Sequence, residues 1–213
     1  MSCSRCVKEP SGPYRGGLLL LALVVLSISW GCLPQQPQTY PEDAQVSSYP
    51  QQSPVQLQQL VAPIALYPDA LVAQILAAAT FPDQVVEADR WVQAHPDVKG
   101  EALGKLVDPE PWDPSIKALA AFPAVLASMD KNLAWTSSLG DAYYNQQDEV
   151  MDAVQIMRQR AHAAGHLQTT PQQTIAMQDS SIVIESASPD LVYVPAYDPW
   201  TIYGDPIDAW TGW

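Results

Sequence analysis

The sequence predicts a mainly α fold (α+β): a bundle of short helices and one long helix, with a small C-terminal antiparallel β element. Three observations predict it. From residue 55 to about 164, apolar residues recur at the three-to-four-residue spacing of a helix buried along one face. Prolines preceded by a capping or aromatic residue cut that stretch into pieces. After Thr170-Pro171 the apolar period drops to two, the spacing of a half-buried strand.

The first segment, 1–31, reads as a signal peptide. Leu18 to Ile28 is an uncharged apolar run preceded by Arg5, Lys8 and Arg15 and followed by Ser29-Trp30-Gly31-Cys32. A basic start, a short apolar run and small residues are the pattern of a secretory leader. At ~1.5 Å of rise per residue the run is short for a ~30 Å hydrocarbon layer. Gly31-Cys32 resembles the lipobox of bacterial lipoproteins, which makes Cys32 the expected lipid attachment point. Ser29-x-Gly31 equally suits an ordinary signal peptidase. Residues 32–54 follow as a tether, with six Gln and five Pro between 33 and 54, too polar and proline-rich to bury a core.

The helical body is expected over 55–168. Ser53-Pro54 supplies a capping hydroxyl and a proline for the first turn, and Leu57, Leu60, Val61 and Ile64 form one face, with Pro63 ending or kinking it. Pro68-Asp69 opens a second helix with Leu71, Val72, Ile75 and Leu76 inside. Pro82-Asp83 opens a third with Val85, Val86 and Trp91, and a short one spans Lys99 to Val107. Asp113-Pro114 begins another, carrying Ile116, Leu119 and Ala120; Val125, Leu126 and Met129 continue after Pro123. The longest element is predicted from Leu133 to Ala164, with Gly165 as its C-cap. Tyr67-Pro68, Phe81-Pro82 and Phe122-Pro123 are one recurrent turn, without the fixed period of a repeat array.

The β element is expected over 169–204, as strands Thr174–Gln178, Ser181–Glu185 and Leu191–Pro195 joined by Asp179-Ser180 and Ser188-Pro189-Asp190. Residues 205–213 read as a flexible aromatic tail.

Charge narrows the function classes. The formal net charge is −13, and from residue 33 onward 22 acids face 7 bases, a balance of −15 with no Lys or Arg after Arg160. Nucleic acid is excluded as an expected partner, because binding it requires cations that displace condensed counterions. The three cysteines all lie in the first 32 residues, so the folded part gains nothing from disulfides.

Four stretches resemble a known family. Leu60-Val-Ala-Pro-Ile-Ala-Leu-Tyr-Pro-Asp-Ala-Leu-Val-Ala-Gln-Ile-Leu76, Pro111-Trp-Asp-Pro-Ser-Ile-Lys-Ala-Leu119, Leu139-Gly-Asp-Ala-Tyr143 and Val192-Tyr-Val-Pro-Ala-Tyr-Asp-Pro199 are similar to the uncharacterised bacterial envelope proteins grouped as domain of unknown function 3300. The resemblance covers roughly residues 55 to 204. It implies a signal-bearing envelope protein with a helical body and a C-terminal β element, and it carries no reaction or catalytic residue.

Candidate chemistry is sparse. His162 and His166 stand at i, i+4, a zinc spacing when one helix holds both, but Gly165 ends the helix between them. Asp108-Pro-Glu-Pro-Trp-Asp113 sets carboxylates beside an aromatic, as a glycosidase requires, yet Asp113 and Trp112 are better explained as a helix cap and its packing. Glu87, Asp89 and Arg90 read as surface charge. No catalytic, metal or cofactor motif emerges. The C-terminal aromatics Tyr193, Tyr197, Trp200 and Tyr203 are the candidate binding surface, suited to stacking on sugars or to a partner's groove. The expected function is a non-catalytic interaction or scaffold module on the periplasmic side of the envelope. It is held at the membrane through the N-terminal lipid, or is soluble in the periplasm, and its partner is an envelope protein or the cell wall. The rival expectation is a cell-wall hydrolase using acidic residues.

Overall fold

The computed structural model describes residues 50–188 and 191–211. The leader, Cys32 and most of the tether therefore lie outside the described residues, as does Trp213.

Among the described residues the elements run α1 (Pro54–Val61), α2 (Asp69–Ala79), α3 (Pro82–Ala94), α4 (Gly100–Val107), α5 (Pro114–Leu119), α6 (Pro123–Lys131), α7 (Leu133–Asn145), α8 (Gln147–Ala163), β1 (Gln173–Gln178) and β2 (Ser181–Ser186). The predicted class, mainly α with a small β element, is the class observed. Helix starts follow the proline punctuation. Ser53 caps α1 in a reciprocal box with Gln56, and Asp113 caps α5 through the Ser115 amide. Pro68, Phe81 and Phe122 precede α2, α3 and α6 with no side-chain cap. There the proline stiffens the start, and Tyr67 and Phe122 pack against the core.

α2 is the central helix. It is apolar on most sides, with Leu71, Val72, Ile75, Leu76, Ala78 and Ala79 buried, and it lies against α7 and α5. α3 packs along α6, and α1 along α8. Gly140 of α7 sits directly on the backbone of α2: a Cβ there would lie 2.0 Å from the Ala79 carbonyl oxygen. α8 ends as predicted, with Gly165 at φ 78 and the His166 amide reaching back to the Ala161 carbonyl.

Two predicted elements differ. The single long helix is two, broken at Gln146 (φ −140, ψ 48). The Gln146 side chain is buried, accepting from the Gln52 amide and donating to the Gln52 carbonyl, so the corner is fixed by the strand of chain entering α1. The apolar stripe runs through the corner because α7 and α8 both face the same core, which hides the break in the sequence.

The third strand, Leu191–Pro195, is absent; only a bridge from Ser188 to Leu191 remains. β1 and β2 pair antiparallel with Gln178 opposite Ser181 across the turn, which leaves Ile182 and Ile184 with backbone groups directed away from β1. Those groups are taken by side chains. The Ile182 amide donates to Gln155 and the Ile184 amide to Asp69, while the Ile182 carbonyl accepts from Arg158 and Gln155. Helices α8 and α2 thus occupy the edge that a third strand would have used. Asp179 takes the left-handed conformation (φ 54) that the two-residue turn requires.

Candidate functional site

The link between α1 and α2, Ala62 to Pro68, is buried almost throughout although it is not regular helix. Prolines 63 and 68 bound it; turns supply donors to the Ile64 and Pro68 carbonyls, whereas those of Ala62, Ala65 and Tyr67 take theirs from side chains. Side chains from distant parts of the chain supply them. Trp135 Nε1 donates to the Leu60 carbonyl at 2.8 Å, and the Tyr197 and Tyr203 hydroxyls both donate to that of Ala62. Arg158, 2% exposed, donates to the Ala65 carbonyl at 2.8 Å and to that of Tyr67 at 3.1 Å, reaches Ile182 of β2, and pairs with Asp69 at 2.6 Å. One buried guanidinium therefore joins α8, the α1–α2 link, the start of α2 and the hairpin.

The four predicted surface aromatics divide on this frame. Tyr203 is 2% exposed, and Tyr197 lies edge-on between Tyr67 and Tyr203, with ring centroids 6.0 and 6.4 Å away. Burial pushes both hydroxyls well above the ordinary tyrosine range, so they remain donors at every physiological pH. Both hydroxyls hold the fold; the Tyr203 ring is buried, and the Tyr197 ring is half-buried. Trp200 is half-buried, and Tyr193 is the exposed member at 41%. The chain beyond is laid on the body: the Arg160 guanidinium donates to the Asp205 carbonyl, and His166 Nδ1 to that of Ile202 at 2.6 Å. His166 is thereby engaged beyond the end of α8, and His162 is exposed on its last turn. Trp112 is buried edge-on to Trp91, and Asp113 is the α5 cap.

Asp89 corrects the reading of α3 as ordinary surface charge: it is 3% exposed, hydrogen-bonded by Gln93, and it faces Asp130 of α6. Desolvation first, then the like charge of Asp130, raises its carboxyl above the usual range.

Asp89 stands on the wall of an open groove of about 840 Å³ between α4 and the layer formed by α3, α5 and α6. Clefts of about 300–1,000 Å³ are the size that takes drug-sized ligands. Val92, Leu103, Val107 and Ala120 line it from the core side, and Ala121, Ala124 and Ala127 from the exposed side. α4 is joined to the body through buried Leu103 and Val107 and lies closely along no other described helix, so the groove stays open beside it. Gly100, at φ 59, turns the chain into α4; Gly104 leaves open space on the groove side. Sequence reasoning missed this site because half of its lining residues are alanine, glycine and proline, which signal packing or turns wherever they occur. The one available hint was α4 itself, a short amphipathic helix between loops.

The fold and groove define a helical domain organised around a buried proline-bounded link. The chain belongs to the family described as Protein of unknown function (DUF3300), which it matches over residues 53–211. It is 36% identical over 185 residues to an uncharacterised Escherichia coli (strain K12) protein, YacH; the match covers 72% of this chain and 30% of that protein. The chain thus spans about a third of the length of this curated relative. No solved structure matches it.

Proposed function

We propose that the chain is an exported, lipid-anchored envelope protein whose helical body is a non-catalytic interaction module with the α3–α6 groove as its binding face. The observation that carries the interaction reading is the groove: an open, apolar trough on a body whose buried polar groups hold the backbone. Export and anchoring are supported by the basic start, the apolar run Leu18 to Ile28 and Gly31-Cys32. Several acyl chains on Cys32, at ~0.8 kcal/mol per buried CH₂, hold a protein firmly on a membrane.

The test combines fractionation with cross-linking in intact bacterial cells. Wild-type chain is expected with membranes, and Cys32→Ala folded in the soluble periplasm; Cys32→Ala still bound to membranes sinks the lipid anchor. A cross-linked adduct is expected from wild type and not from Ala121→Trp, which fills the groove from an exposed position. Equal adducts from both sink the groove as binding face.

The second reading, a cell-wall hydrolase, is favoured by Asp89, a buried carboxyl with raised pKa on the wall of an apolar cleft. Release of soluble fragments from purified peptidoglycan by wild type and not by Asp89→Asn would establish it. No release by either would remove it.

A further inference from the structure

The groove has a charge character that the rest of the chain does not share. From residue 33 onward the chain carries 22 acids and 7 bases, yet two of those bases, Lys99 and Lys117, lie on the groove lining. Neither is paired with a carboxylate among the described residues: the Lys117 ammonium donates to the Asp108 carbonyl, and Lys99 is exposed. The sole carboxylate on the lining is Asp89, which is buried and accepts from the Gln93 amide. The same lining carries the apolar side chains of Val92, Leu103 and Val107 and a wall of small residues.

We infer that the groove binds a long-chain fatty acid, its acyl chain lying along Val92, Leu103, Val107 and Ala121 and its carboxylate drawn to Lys99 and Lys117. The assignment rests on the groove being the binding face and adds the chemical class of its ligand. An apolar trough alone would take any greasy segment. Two cations without carboxylate partners, on an otherwise acidic chain, select an amphiphile with an anionic head. Each CH₂ removed from water favours binding, so the acyl chain supplies affinity and the lysines supply orientation.

The experiment uses the full chain in lipid nanodiscs with a diazirine-bearing palmitate analogue, located after irradiation by peptide mass spectrometry. Adducts are expected between residues 89 and 127, displaced by palmitate. They should be lost in Ala121→Trp and in Gly104→Leu, whose added side chain enters open space and leaves the helix intact. Circular dichroism melts confirm that both variants fold. Exposed ion pairs are worth up to about fivefold each, so Lys99→Glu with Lys117→Glu should weaken labelling by about five- to tenfold. A hexadecanol analogue that labels the groove as well as the acid does overturns the anionic-head assignment. Labelling unchanged by either filling variant overturns the site. If palmitate fails while the groove-dependent adduct in cells persists, the ligand class is wrong and the binding face stands. If both fail, the interaction reading falls with it.

Discussion

Replacing Arg158 by methionine tests the frame that holds the body. The guanidinium makes hydrogen bonds to three backbone carbonyls, of Ala65, Tyr67 and Ile182, and an ion pair to Asp69. Methionine fills similar space with no donor. The Ile182 carbonyl keeps its bond from Gln155, so the buried Ala65 carbonyl and the part-buried Tyr67 carbonyl are orphaned, at about 1–3 kcal/mol each with Tyr67 at the low end. Asp69 loses its cation but keeps the Ile184 amide and is 44% exposed, so water recovers much of its solvation and its share is small. The sum, about 3–5 kcal/mol, is the size measured when one member of a buried charged pair is removed. For a domain of this length each kcal/mol moves the melting temperature by about 2–4 °C, so a drop of about 10 °C is expected. Urea unfolding followed by tryptophan fluorescence measures it, with Arg158→Lys as comparator. Lysine keeps a charge for Asp69 but cannot reach all three carbonyls, and should recover only part of the loss. A loss below about 1 kcal/mol for methionine would show that water replaces the guanidinium, and that Arg158 does not hold the link.

Other perturbations bear on separate parts of the structure. Tyr197→Phe and Tyr203→Phe should each cost about 1 kcal/mol in urea unfolding. The double variant should cost more than the sum, because only then does the buried Ala62 carbonyl lose both donors. Gly140→Ala should destabilise by roughly 3 kcal/mol, since its Cβ collides with the Ala79 backbone, whereas Gly104→Ala, facing open space in α4, should stabilise by about 0.5–1 kcal/mol. Asp89 has a native pKa raised above its unfolded value, so the native state binds its proton more readily and stability from this group falls as pH rises through that window. Asp89→Asn should therefore be more stable than wild type at neutral pH, with the advantage vanishing below about pH 4, as a series of melts across pH would show.

What the sequence discloses and what it hides follow from which interactions are local. Ser53-Pro54 and Asp113-Pro114 start helices because cap and proline act within one turn, and Gly165 ends α8 for the same reason. The broken helix at Gln146 was hidden because its cause, the amide pair with Gln52, lies 94 residues away. The missing third strand has the same origin: Gln155, Arg158 and Asp69 cap β2 from other elements, and alternation in Leu191–Pro195 cannot reveal that its place is taken. Tyr197 and Tyr203 looked like a binding surface because aromatics among Pro, Gly and Asp suggest an open tail, whereas they close over the α1–α2 link. Asp89 looked like surface charge because helical spacing does not show Asp130 facing it. The groove was illegible because open space has no residue of its own. Its lining, drawn from four helices and half of it Ala, Gly and Pro, becomes a site only once α4 is placed beside α3, α5 and α6.

The most direct measurement places a photoreactive amino acid at Gln93, an exposed groove position whose native side chain is already long, and, separately, at Tyr193 on the exposed C-terminal segment, and compares adducts formed in living cells by the full-length chain. A discrete adduct from Gln93, chased by palmitate and absent from Tyr193, is the predicted result. A discrete adduct from Tyr193 alone would contradict the groove as the binding face and return that role to the aromatic segment.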